Sequence, residues 1–356
     1  MTTRTLHFVV RVMLILAIPV AILPATGIAM PDSPPGSPIV LKMNHQFPEN
    51  TPGSKIDRWF AEKIAQRTQG RVIINIHWSN GLGGPRDNLS LISRGVLDMA
   101  AMSAGYFPDE MPLLASPNSI PMAMDNVCQA RNIMNAFIEK IPAVSREASA
   151  LGIRPLFFHV LNPYLLVSRK PVTGLADLEG KRIRTWGRHM PGLVRAAGAI
   201  PVPLFLPDVY PALEKGVIDA CPFSLDLMVS YGIHQVAAHV SEVILWQGPG
   251  WGVWISESAW NGLPRDIRDI FVRTAAEASQ REIHLVLEEE KKARTFLKAR
   301  GVRFHPFAQT DLNTWKSRSP DDFNTFVKEM EKQGKGGAAA RMVDLWQTMR
   351  QDTDCP

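Results

Sequence analysis

The sequence predicts an α/β fold of two domains around a cleft. Two stretches carry the prediction, residues 39–102 and 181–221. Each alternates extended and helical patterns in the order that favours a parallel sheet. A third stretch, from Leu263 to Arg300, reads as one helix with few breaks. At about 1.5 Å per residue it reaches roughly 55 Å, longer than one domain needs.

The elements follow in chain order. Residues 1–29 hold Arg4 and Arg11, an apolar run from Val12 to Leu23, and the small residues Gly27 and Ala29. This is the pattern of a secretory signal, with a run too short to span a membrane comfortably and interrupted by Pro19 and Pro24. Residues 30–38 are a Pro/Ser/Gly linker. Ile39 to His45 reads as a strand. Ser54 to Asp57 resembles a capping box, and Ile56, Phe60 and Ile64 mark one face of the helix behind it. Gly70 stops that helix, and Val72, Ile74, Ile76 and Trp78 alternate as the second strand. Gly83-Gly84 lacks the Lys-Ser/Thr of a phosphate loop and reads as a turn into a helix near 88–94. Residues 96–102 form a buried strand, 108–121 a packed loop, and Asp125 caps a helix running to Glu139.

Strands at 156–160 and 164–168 flank Asn162-Pro163. Lys181 to Trp186 alternates as a strand that Gly187 ends. A helix over 191–197, an extended run over 199–204, a helix capped by Asp208 and a strand over 217–221 complete the second unit. Residues 250–255 form a return strand carrying Trp251 and Trp254 on opposite faces, so that one of them can look toward the cleft. In the long helix, the charges from Glu288 to Lys292 are a solvated face rather than a metal site. A strand over 302–305 and helices over 323–332 and 338–350 finish the chain.

Composition narrows the function. Formal charge is +5, and removal of residues 1–29 takes away two arginines and no acid, leaving +3. No run of five basic residues appears, so nothing cues nucleic acid. The remaining chain, about 325 residues, is long enough for two cores. No nucleophile–base set, metal-spaced His/Cys group or dinucleotide fingerprint is present. Cys128, Cys221 and Cys355 can pair in ways the sequence leaves open, although Cys221 sits in an apolar strand and reads as a buried free thiol.

In open α/β sheets, ligands sit at the carboxyl ends of the strands. Arg184 lies at such an end beside Trp186, and a guanidinium there offers a planar fork of donors to a carboxylate. A solvated strand-end arginine is the plain alternative. His45 and Gln46 follow the first strand, with Phe47 after them, and Ser103 and Tyr106 follow the third; all are cleft candidates on the same rule. A structural, hydrogen-bonded role is the alternative for His45.

The run "DLEGKRIRTWG" followed by "AAGAIPVPLFLPDVYPALEKGVIDA", with Gly95, Leu97, Asp98 and Met99 in the first unit, resembles the substrate-binding proteins of tripartite ATP-independent periplasmic (TRAP) transporters, over roughly residues 40–338. The resemblance implies a periplasmic-binding-protein-like fold with the long helix spanning the hinge. It implies domains of 39–161 plus 249–288 and of 162–248 plus 289–350. Where the sialic acid branch of that family places a second ligand arginine, this chain has Tyr164, which argues against a sialic-acid-like ligand. Where the family often has a ligand asparagine, Phe223 stands, and Pro222 replaces the glutamate that helps hold a metal ion in a keto-acid branch. No metal and no cofactor are therefore expected. Arg184 with Trp186, Phe223 and Tyr164 suggests a mostly apolar pocket with one anionic anchor, suited to a small carboxylate with an apolar or aromatic body.

The expected function is a monomeric periplasmic receptor, not an enzyme. It closes on an organic acid and delivers it to TRAP permease subunits. An exported enzyme acting on a small carboxylate, or a receptor of an ATP-driven importer or sensor system, are the alternatives.

Overall fold

The computed structural model describes residues 37–351 and 355, so the segment read as an export signal lies outside them. In chain order the elements are β1 (Ile39–His45), α1 (Pro52–Arg67), β2 (Val72–His77), α2 (Asn88–Ser93), β3 (Met99–Met102), α3 (Pro112–Ser119), α4 (Val127–Lys140), α5 (Pro142–Ala150), β4 (Ile153–Val160) and β5 (Tyr164–Ser168). Then come β6 (Arg182–Thr185), α6 (Met190–Ala196), β7 (Ile200–Pro203), α7 (Val209–Glu214), β8 (Ala220–Phe223), α8 (Leu225–Ser230) and β9 (His239–Trp246). The chain ends with β10 (Pro249–Ser256), α9 (Glu257–Gly262), α10 (Arg265–Ala299), β11 (Arg303–His305), α11 (Gln309–Arg318), α12 (Asp322–Glu331) and α13 (Gly336–Gln351).

Two sheets result, ordered β2-β1-β3-β10-β4 and β11-β9-β5-β8-β6-β7. Within each expected unit the pairing is parallel: β1 with β2 and β3, and β6 with β7 and β8. Neither whole sheet is parallel, which corrects the prediction. β5 and β10 each enter a sheet from the other one, and each runs antiparallel to both of its neighbours. The chain passes between sheets three times: directly over Leu161-Asn162-Pro163 and over Gln247-Gly248, and then from β10 through α9 and α10 to β11.

Helix α10 is 35 residues long and packs on α1, α4 and β4 on the side of the first sheet and on α8 on the side of the second. Its buried positions, including Ile267, Phe271, Ala275, Ala278, Ile283, Val286 and Leu297, recur at three- and four-residue spacings along one stripe. This long element touches both sheets, as expected of a spine.

Several local readings change. The cap of α1 is Thr51, whose side chain accepts from Ser54 N, with Pro52 at the first turn; Asp57 is thereby released for another use. Asn126, not Asp125, caps α4. Residues 112–119 are a helix rather than a loop. All eight of its residues are buried, so it has no polar face to betray a period. Helix α13 packs on α4, where Trp346 donates to Ala123 O and stands edge-on to Phe137, while Phe326 of α12 stands edge-on to His189 beside α6. Cys355 forms a disulfide with Cys128 of α4, 227 positions away, while Cys221 is free and buried.

Candidate functional site

The carboxyl ends of β1, β3 and β6, the amino end of β5 and the two crossovers converge on one small cavity. Its lining includes Gln46, Ser103, Tyr106, Tyr164, Arg184 and Trp186. Seven of the nine candidates singled out from the sequence, these six and Phe47, thus line it.

Arg184 is 1 % exposed although it carries a full charge. Its Nε donates to Leu204 O at 3.2 Å, and its guanidinium lies 4.6 Å over the Trp186 ring. Its neighbours Arg182 and Arg188 pair with Asp219 and Asp109. Arg184 makes no ion pair among the described residues, and its Nη1 is buried with no hydrogen-bond partner among them. Desolvating a cation without a counter-charge costs several kcal/mol (on the order of the effective penalty per buried ion), and a folded chain rarely leaves that cost uncompensated.

The ring side chains hold that guanidinium in place. Trp186 donates from Nε1 to Asn118 O at 2.9 Å, which fixes the face on which the cation lies. Tyr164 stands edge-on to Trp186 at 5.6 Å and to Trp246 at 5.0 Å. Tyr106 accepts from Leu206 N at 3.4 Å and stands edge-on to Phe205. Burial pushes the Tyr106 and Tyr164 phenols up, against the pull of the nearby Arg184 charge, so both stay neutral. Gln46 accepts the Ser103 N–H at 2.9 Å and so locks two strand ends together. Two further orphans sit on lining side chains, the Trp246 Nε1 donor and the Asn118 Oδ1 acceptor.

Residues 43–330 match the family model for bacterial extracellular solute-binding proteins, family 7. The chain belongs to that family. A solute-binding protein of Roseobacter denitrificans is 27 % identical over 273 residues, which cover 75 % of this chain and 81 % of that protein. The C4-dicarboxylate-binding periplasmic protein DctP of Rhodobacter capsulatus is 24 % identical over 300 residues, covering 83 % and 89 %. Among solved structures, a marine-metagenome TRAP solute-binding protein specific for pyroglutamate superposes with a TM-score of 0.77 at 18 % identity, over 88 % of this chain and 99 % of that one. A TRAP periplasmic solute-binding protein of Haemophilus influenzae with bound L-gulonate gives 0.76 at 18 %, again over 88 % and 99 %.

Two of the singled-out residues of this family-7 protein do not line the cavity. Phe223 is fully buried behind Tyr164, on which it stacks at 6.0 Å. His45 turns away, its Nε2 2.7 Å from Asp57 Oδ2. Trp251 packs on Phe47 at 4.1 Å, and Phe47 does line the cavity. Sequence reasoning missed Asn118, Leu161, Leu206, Trp246 and Gly250, which also line it. Asn118 was hidden because its helix shows no period. Trp246 and Gly250 flank the second crossover, and Leu161 begins the first; a rule that watches crossovers as well as strand ends would have found all three.

Proposed function

We propose that this protein is a periplasmic receptor that closes on a small organic acid and hands it to a TRAP-type membrane permease. One observation carries the reading: Arg184 is buried, charged and without a counter-charge at the wall of the cavity between the sheets. A ligand carboxylate supplies the missing charge and accepts from the unpartnered Nη1, in a site dry enough to make the pair strong. The named ligands of the similar structures, among them galacturonate, glucuronate, L-gulonate, orotic acid and pyroglutamate, are all acids or their anions, in keeping with this anchor.

The other orphan atoms refine the ligand. Trp246 Nε1 is a donor and Asn118 Oδ1 an acceptor. A buried orphan costs about 1–3 kcal/mol, so the favoured acid carries its own N–H or O–H for Asn118. The aromatic wall of Tyr106, Tyr164, Trp186 and Trp246 covers the rest of it.

The proposal includes the partition at the two crossovers, near 161–162 and 248–249, with α10 as the shared spine. It includes the roles of Tyr164, Gln46, Ser103 and Tyr106 as contacts, and of Phe223 and His45 as supports behind them. The mature chain acts as a monomer and turns nothing over.

The test is a thermal-shift screen of organic acids on the mature chain, with Arg184→Ala beside it. Acids should stabilise the parent chain and leave the variant unmoved. Equal stabilisation of both would remove Arg184 from the site, and conversion of the bound acid would replace a receptor by an enzyme.

A further inference from the structure

Behind the cavity wall lies a chain of four buried titratable side chains drawn from four elements. His45, at the end of β1, has Nε2 2.7 Å from Asp57 Oδ2 on α1. His159, near the end of β4, has Nε2 2.9 Å from Asp57 Oδ1 and Nδ1 2.5 Å from Glu282 Oε1 on α10. Glu282 Oε2 also accepts from Val160 N at 3.3 Å. All four residues are at most 1 % exposed. Among the described residues no further titratable side chain bonds to any of them.

One end of this chain bonds a cavity-lining residue, and the other bonds the neighbour of one. With His45 Nε2 donating to Asp57, its Nδ1 accepts the Phe47 N–H at 3.1 Å. That bond sets the turn holding Gln46 and Phe47, both cavity-lining. At the other end, Glu282 grips Val160, the residue before the lining Leu161. One turn further along α10, Val286 O accepts from Asn162 of the same crossover at 2.7 Å. Trp251 lies flat on His159 at 4.2 Å and also packs on Phe47, closing the loop between the two ends. A merely stabilising core would use apolar residues here, since buried ionic groups are rarely worth more than well-packed hydrophobes. A directional chain gives what apolar packing does not, a fixed register between elements.

We propose that His45, Asp57, His159 and Glu282 are positioning residues of the solute site, tying the Gln46–Phe47 wall to the crossover and to the spine helix, so that ligand binding and the setting of the hinge are coupled. The proposal rests on the reading of the cavity as the solute site.

The charge state supports it. Burial disfavours the His159 cation, but the Asp57 and Glu282 carboxylates outweigh it and hold the imidazolium up to about 10. Burial also works against the Asp57 anion, yet His159 and His45 bring it below the ordinary carboxylate range. The chain thus stays assembled through neutral pH.

The test uses the mature chain and a panel of pyroglutamate, D-glucuronate and L-gulonate, taking the acid with the largest thermal shift as probe. His45→Ala should weaken that probe by about tenfold, the worth of one well-set hydrogen bond. Phe137→Leu, a core change in α4 away from the cavity, should leave affinity unchanged even where it lowers the melting temperature as much. Glu282→Gln should retain more affinity than Glu282→Ala, because it still accepts from His159. On the unmutated chain, ¹⁵N shifts of both His45 and His159 should move when the probe binds, which guards against a variant that fails to fold. Unchanged affinity in His45→Ala, or ring shifts indifferent to the probe, overturns the coupling. Undiminished affinity in Arg184→Ala would instead overturn the site itself, so the two failures are distinguishable.

Discussion

Arg184 is the residue on which the site turns, and its burial makes two opposite demands. Without a ligand its charge is a liability; on the proposed reading, a bound carboxylate makes it the anchor. Arg184→Met should therefore leave the melting temperature of the ligand-free protein unchanged or raise it, since an apolar chain of similar reach removes an uncompensated charge. The same variant should lose acid binding by about 100-fold or more, the worth of two charge-assisted hydrogen bonds. Calorimetry and an acid titration read both. The strand-end rule was enough to find Arg184, Trp186 and the Gln46–Ser103 pair, because a rule about strand ends needs only the position of strands. It also selected His45, which sits at the right end of β1 and points the wrong way. Rotamer direction is decided by Asp57 in another element, and no spacing in the sequence encodes it.

At the scale of elements, the short turn before α3 illustrates how tightly the wall is built. A Cβ on Gly105 would meet Asn118 Oδ1 at 1.8 Å. Gly105→Ala should displace Asn118 and the bonds it gives to Pro249 O and Gly250 O, costing about 1–3 kcal/mol and weakening acid binding. Denaturant melts with a parallel titration check it. The His159 link between β4, α1 and α10 gives a pH signature. Its folded value of about 10 stands above the ordinary 6.5. Its contribution is therefore complete below pH 6.5 and is lost as pH rises toward 10. Glu282, pushed up mainly by burial, likewise loses its contribution as pH rises above the ordinary carboxylate range, since its charged form is disfavoured in the fold. Asp57, held low, contributes above its ordinary value and loses that contribution only in acid. The melting temperature should thus fall between pH 7 and 10, and His159→Gln should flatten that fall. The alternating units at 39–102 and 181–221 were legible because strand and helix periods differ. Helix α3 was not, because a helix buried all round has no period, and the antiparallel runs of β5 and β10 were not, because direction depends on which sheet the chain has just left.

Across the whole molecule, α10 and the two crossovers make the moving parts few. If the sheets close on the acid, the radius of gyration should drop on binding in small-angle scattering, and Arg184→Ala should abolish the drop. The tail is fastened separately. Cys128–Cys355 closes a loop of more than 200 residues, so Cys355→Ser or reduction should cost about 2–4 kcal/mol and lower the melting temperature in α4 and α13 first, as hydrogen exchange would show.

The third thiol matters here by its silence. Cys221 lies sealed in β8, where burial pushes it up to about 12 and so withholds the thiolate that would attack another sulfur. Once folded, the chain has one oxidised product and no scrambled isomers to sort. In the folded chain the Cys128–Cys355 bridge therefore has no internal thiolate to exchange with, and the tail stays sewn to the body.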